Sequence, residues 1–168
     1  MTPSPTVRPA HSSELVAIMR VVDAARGIMR ADGNLRQWTN GYPSEAIIAA
    51  DIERGHGHVC LTNGALAGYF ALLAGPDPTY ARIHGGQWLH DAAPYHVMHR
   101  LASLPSAHGI FDAAMGYAFG VSGNMRVDTH RDNRIMQRKL LRYGFSYRGI
   151  IYLTNGDERL AYQRVVRL

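Results

Sequence analysis

The sequence predicts one mixed α/β (α+β) domain with a sheet of about six to seven strands and four flanking helices. Three observations lead there. The 168 residues, 46% apolar and 18% charged, have the length and composition of a single globular domain with room for a sizeable core. The apolar spacing switches between the 3.6-residue period of helices and the alternation of strands. Clusters of Gly, Pro and Asn separate these segments, and no internal repeat or low-complexity block interrupts them.

The elements follow in order. Residues 1–5 read as a frayed Pro/Ser leader and residues 6–168 as the domain. Val7 to Ala10 is a short strand. His11-Ser12-Ser13-Glu14 looks like a serine-capped helix start, followed by Leu15, Ile18, Met19, Val22, Ala25 and Met29 on one helical face. Ala31-Asp32-Gly33-Asn34 ends that helix, and Pro43-Ser44-Glu45 opens a second that runs to Glu53. His58 to Leu61 and Ala65 to Leu73 form a hairpin around Thr62-Asn63-Gly64. Gly75 to Ala93 is a long loop, a class of segment that is usually functional or mobile. Tyr95 to Leu104 is the fourth strand, Gly109 to Gly120 a helix, Asn124 to Thr129 the fifth strand, and Asn133 to Tyr143 a helix stopped by Gly144. Phe145 to Leu153 and Leu160 to Val166 close the chain as a hairpin.

Composition excludes several classes. Eighteen basic against thirteen acidic residues give a net charge of +5, which suits an anionic ligand. No Lys/Arg tract with interleaved aromatics marks a nucleic-acid binder, so no nucleic-acid partner is expected. The apolar runs are too short to span a bilayer, and no membrane partner is expected. Cys60 stands alone, which excludes an internal disulfide and points to a reducing, cytoplasmic setting. Among nine histidines only His56/His58 and His96/His99 are closely spaced. Residues three apart on a strand face opposite ways, so no metal site is expected.

Asp128-Thr129-His130-Arg131-Asp132-Asn133, then Met136-Gln137, then Tyr143-Gly144-Phe145 carry a family likeness. With the closing runs Gly149 to Leu153 and Arg159 to Tyr162, and the order of elements, the chain resembles the GNAT superfamily of acyl-CoA-dependent N-acyltransferases. The resemblance implies a central sheet splayed between its fourth and fifth strands. Acetyl-CoA would be the co-substrate, entering the wedge as a pseudo-strand along Leu101, Ala102 and Ser103. It also implies that a backbone N–H near Leu101 or Ala102 points at the thioester carbonyl. The pyrophosphate would rest on the loop Ser106, Ala107, His108, Gly109, Ile110 and Phe111, at a helix N-terminus. Asn133 and Gln137 would add contacts on the last helix. A homodimer is the family-level expectation.

Two places depart from the family pattern. Where its phosphate loop has a cation or amide and later a small residue, this chain has Ser106 and Phe111, and only Gly109 remains. Where many members carry an acidic tyrosine, this chain has Leu140; Tyr143 lies about 60° away around the helix and does not inherit the role. These departures motivate a rival reading, a GNAT-like domain that binds a ligand without turnover.

The acceptor, a small-molecule or peptide amine, would arrive as an ammonium with on the order of one molecule in a thousand neutral at pH 7. A histidine suits that deprotonation. His99 ranks first: alternation places it on the face of Tyr95, Val97 and Leu101, and Tyr95 is a further candidate there. Its bland alternative is a hydrogen-bonded core histidine. His130 ranks second, with a turn-fixing bond to Asp132 as its alternative. Trp38, Tyr42, Tyr80 and Trp88 either roof the acceptor pocket or pin its loops to the core.

Overall fold

In the computed structural model, which describes residues 3–168, β1 (Thr6–Pro9) passes through a 3-10 turn (Ser12–Glu14) into α1 (Leu15–Ala31). Then come α2 (Glu45–Glu53), β2 (Gly57–Thr62), β3 (Ala65–Ala74), β4 (His96–Ser103) and α3 (Ile110–Val121). β5 (Asn124–Thr129), α4 (Arg134–Arg142), β6 (Ser146–Tyr152) and β7 (Glu158–Val165) complete the chain. The expected leader includes Met1 and Thr2, which lie outside the described residues. Contrary to the serine-cap expectation, Glu14 does the capping: its carboxylate accepts from the His11 N–H at 2.8 Å, and the serines sit inside the 3-10 turn. Ser44 caps α2 as expected, accepting from the Ile47 N–H.

The sheet runs β1-β2-β3-β4-β5-β7-β6. All neighbours are antiparallel except β4 and β5, which are parallel. α1 and α2 cover one face, packing Ile18, Val22 and Ile48 on Val59, Tyr69 and Ala102. α3 and α4 cover the other, where Met115 and Leu140 meet Phe70, Met98 and Met125. Each such fully buried aliphatic or aromatic side chain contributes about 1.5–3 kcal/mol. No helix among the described residues is long and apolar enough to cross a membrane.

The parallel pair is short. Only His96↔Met125 and Val97↔Arg126 are in register; beyond them the strands diverge. The cause sits in β4. Ala71 pairs with His99 but Tyr69 pairs with Ala102, so Arg100 and Leu101 together oppose Phe70. Arg100 takes φ 58, a left-handed conformation uncommon outside glycine. This bulge bends the strand and re-aims its side chains. It also overturns the alternation expectation: His99 shares the α1/α2 face with Val97, but Leu101 has moved to the α3/α4 face and packs on that core.

The loop between β3 and β4 is held down rather than loose. Tyr80 and Trp88 are buried with Val97, Ile151 and Ala161. The buried Arg126 guanidinium lies 3.8 Å from the Tyr95 ring centroid and 4.3 Å from that of Trp88. Such cation–π stacking is strongest where the cation is desolvated. His84 adds a bridge to Ile150 on the edge strand β6.

Candidate active site

Where β4 and β5 part, a cleft of about 610 Å³ opens between their C-terminal ends. The α1–α2 loop contributes Trp38 and Tyr42 to its lining, and the β6–β7 turn contributes Leu153 and Asn155. Of the four loop aromatics, Trp38 and Tyr42 therefore face the cleft, while Tyr80 and Trp88 pin their loop.

His99 stands in this cleft between two carboxylates. Its Nε2 lies 2.9 Å from Asp77 Oδ2, and its Nδ1 lies 3.8 Å from Asp128 Oδ1. Asp77 begins the short 3-10 turn Pro78–Tyr80 and accepts from the Thr79 N–H and hydroxyl at 2.9 and 2.8 Å. Burial alone would raise the Asp77 carboxyl, but the bonds from His99 and Thr79 outweigh it and bring the pKa down to about 2. An ionised Asp77 only accepts, so His99 Nε2 carries the proton and the lone pair of the neutral ring is on Nδ1. Asp128 Oδ1 accepts from the Tyr80 hydroxyl at 2.8 Å, and that ring meets His99 edge-on. Two hydrogen bonds, His99 to Asp77 and Tyr80 to Asp128, thus stand side by side along the wall, with Nδ1 and Asp128 facing each other across a 3.8 Å gap.

The Asp77 bond has a stability signature. Its folded-state pKa lies below the ordinary 3.8, so its contribution is complete above pH 4 and is lost as pH falls toward 2. Asp77→Asn is expected to cost about 2 kcal/mol at neutral pH, with the gap from wild type closing below pH 4. Urea unfolding across that range measures it; a gap constant with pH would show that the carboxylate charge is irrelevant.

The remaining predicted residues divide. Tyr95 is not in the cleft; its hydroxyl accepts from the Asp77 N–H at 2.9 Å and its ring stacks on Arg126, so it supports the loop that carries Asp77. His130 does not join His99. Its Nδ1 accepts from the Asp132 N–H at 3.0 Å and closes the turn into α4. Burial, and then the Arg159 charge, hold its pKa below the usual imidazole value. Gln137 spends its amide on the His130 and Arg131 carbonyls. Asn133 caps α4 by accepting from the Met136 N–H, and it donates to Gln37 at 2.8 Å while lining the cleft.

A narrower groove of about 80 Å³ continues past Leu101, Ala102 and Ser103 toward Ile110, Phe111 and Met136. The Phe111 side chain is buried in the core edge-on to Tyr143 and forms part of the groove's wall. Gly109 precedes α3 with φ 75, a conformation glycine adopts without strain. Ser106, His108 and Gly109 are exposed and Ala107 is half-buried. The first amides of α3 have no partner within the helix, the feature that makes a helix N-terminus attractive to an anion. An acyl-CoA arm fits this arrangement: an unpaired strand edge, an open groove and a helix N-terminus in line. Leu140 is fully buried, and Tyr143 packs between Phe111, Phe119 and Arg164, so neither side chain reaches the cleft.

Sequence reasoning missed Asp77, Arg100 and Arg159, which all line the cleft. Asp77-Pro78-Thr79 carried a usable signal, an acid two residues before a hydroxyl and next to a proline, the pattern of a capped turn. Among the described residues no group of three or more His, Cys, Asp or Glu side chains is arranged to hold a metal ion. Cys60 is buried and its thiol is pushed up to about 12 by burial, which leaves it without nucleophilic character near neutral pH.

No family model and no curated protein matches the sequence. Solved structures do. A GNAT-family acetyltransferase from Listeria monocytogenes 4b F2365 superposes with a TM-score of 0.70 at 20% identity, over 96% of this chain and 95% of that one. This match shows a shared fold. A GNAT-family acetyltransferase from Streptococcus agalactiae 2603 superposes with a TM-score of 0.89 at 31% identity, over 100% of this chain and 99% of that one. On that full-length likeness, the protein belongs to the GNAT family of acetyltransferases.

Proposed function

We propose that the protein moves an acetyl group from acetyl-CoA to a primary amine by direct attack, with both substrates bound together. The observation that carries this reading is the parting of β4 and β5 beside the Asp77–His99–Asp128 constellation. Bound acetyl-CoA would supply the activated thioester. Leu101, Ala102 and Ser103 would offer it a strand edge, and Gly109, Ile110 and Phe111 would offer backbone amides to its pyrophosphate. Asp128 would hold the acceptor ammonium by charge, and His99 Nδ1, oriented by Asp77, would take a proton from it, directly or through water. The resulting imidazolium stays paired with the carboxylates on either side. As the new C–N bond forms the C–S bond would break, and the coenzyme A thiolate would leave and take its proton from solvent. Cys60 is buried and does not line the cleft, so the reaction as proposed passes through no cysteine acyl-enzyme.

Calorimetric titration with acetyl-CoA tests the reading and is expected to show saturable binding well below millimolar. No saturable binding at millimolar concentration would overturn it. Binding without thioester consumption across a broad amine panel would favour a ligand-binding domain instead.

A further inference from the structure

Arg159 enters the cleft from β7 and is 5% exposed. Among the described residues its guanidinium makes one hydrogen bond, from Nη1 to the Glu158 carbonyl at 2.9 Å. Among the described residues no carboxylate lies within ion-pair distance of it. Of the neighbouring acids, Glu158 pairs with Arg131 and Asp157 accepts from Asn155, while Asp128 accepts from Tyr80 through Oδ1 and has Oδ2 left for a cation. A guanidinium carries five N–H donors in a rigid fork that matches a carboxylate, and leaving such a charge buried and unpaired is costly.

Its position relative to the base is set by the sheet. Asp128 pairs with Ala161 across the β5–β7 ladder, and Arg159 is two residues further along β7. The two are therefore diagonal neighbours on one face, with Cα atoms about 7–8 Å apart. Their opposite charges nevertheless do not meet. A molecule with an ammonium and a carboxylate a few bonds apart would span that interval, with its amine at Asp128 and His99.

We propose that Arg159 receives a carboxylate of the acceptor, making the acceptor a small amino acid and not a plain amine. This rests on the acetyltransferase reading above and adds the substrate class to it. The amine is then placed twice, by attraction to Asp128 and by the fork of Arg159, which fixes which nitrogen of a larger molecule reaches His99.

Equilibrium binding of the common L-amino acids, each against its C-terminal amide, tests this with coenzyme A present and absent. At least one acid is expected to bind saturably and its amide about thirtyfold more weakly. Arg159→Met is expected to erase that difference, and Arg159→Lys, which keeps charge without the fork, to retain part of it. Circular dichroism checks that each variant folds; if Arg159→Met does not, Arg159→Lys carries the comparison. Equal binding of acids and amides, a preference that survives in the folded variant, or no binding of either set would each overturn the assignment. The acetyltransferase reading would then still stand if plain amines consume acetyl-CoA, so the two failures are distinguishable.

Discussion

His99→Ala is expected to lower the rate of acetyl transfer by roughly a hundred- to ten-thousand-fold while leaving acetyl-CoA binding nearly unchanged. The ring does not touch the groove that would take the cofactor; it faces the acceptor side, between Asp77 and Asp128. The loss should be steepest on the acidic side. There the acceptor arrives almost wholly as ammonium and needs a base; toward its own pKa it sheds the proton unaided and the variant should recover. A histidine that merely filled the core would give a different result: lower stability, with the pH–rate profile keeping its shape. An unchanged profile in a folded variant therefore removes the base assignment. Asp77→Asn keeps the ring but removes the charge, and its amide can turn either its oxygen or its NH2 toward Nε2, so the tautomer is no longer fixed; its rate should fall between those of the wild type and His99→Ala.

Much of this architecture can be read from the chain alone, because its signals are local. Asn63 and Gly64 both take positive φ in the β2–β3 turn, as an Asn-Gly hairpin turn requires. Ser44 and Asn133 cap the helices they precede. What stayed hidden was mostly long-range. The bond from His99 to Asp77 joins residues 22 apart, and no periodicity announces it. The bulge at Arg100 is the sharper case. Arginine has no local preference for the left-handed conformation it takes here, so alternation runs straight through it and puts Leu101 on the wrong face. His130 is the local counterpart: it lies in the segment with the strongest family likeness, and its hydrogen bond is to the amide two residues away, the turn-fixing alternative the sequence offered. Arg159 read only as the first residue of a closing run, since only the paired sheet shows that it stands diagonal to Asp128.

The same bulge sets the second large expectation. Arg100 grips Asp51 of α2 side-on, Nε to Oδ2 at 2.8 Å and Nη2 to Oδ1 at 2.6 Å, and donates to the Tyr42 hydroxyl at 3.1 Å. The Tyr69 hydroxyl also donates to Asp51, at 2.9 Å. Burial works against the guanidinium charge, yet Asp51 more than offsets it and the Arg100 pKa ends above the ordinary arginine value. Asp51→Ala would leave a buried cation and a buried phenol without their acceptor, and is expected to cost about 3–5 kcal/mol of stability. Replacing both members, as in Asp51→Leu with Arg100→Met, should cost clearly less than the single change, since no charge is then stranded. The two variants also separate stability from function. With the ion pair gone, residue 100 is expected to leave positive φ, so that β4 regains regular alternation and closes on β5. The double variant is therefore expected to fold yet lose saturable acetyl-CoA binding. Urea melts and calorimetry on both variants decide the matter; full cofactor affinity in the double variant would show that the wedge forms without the bulge's anchor.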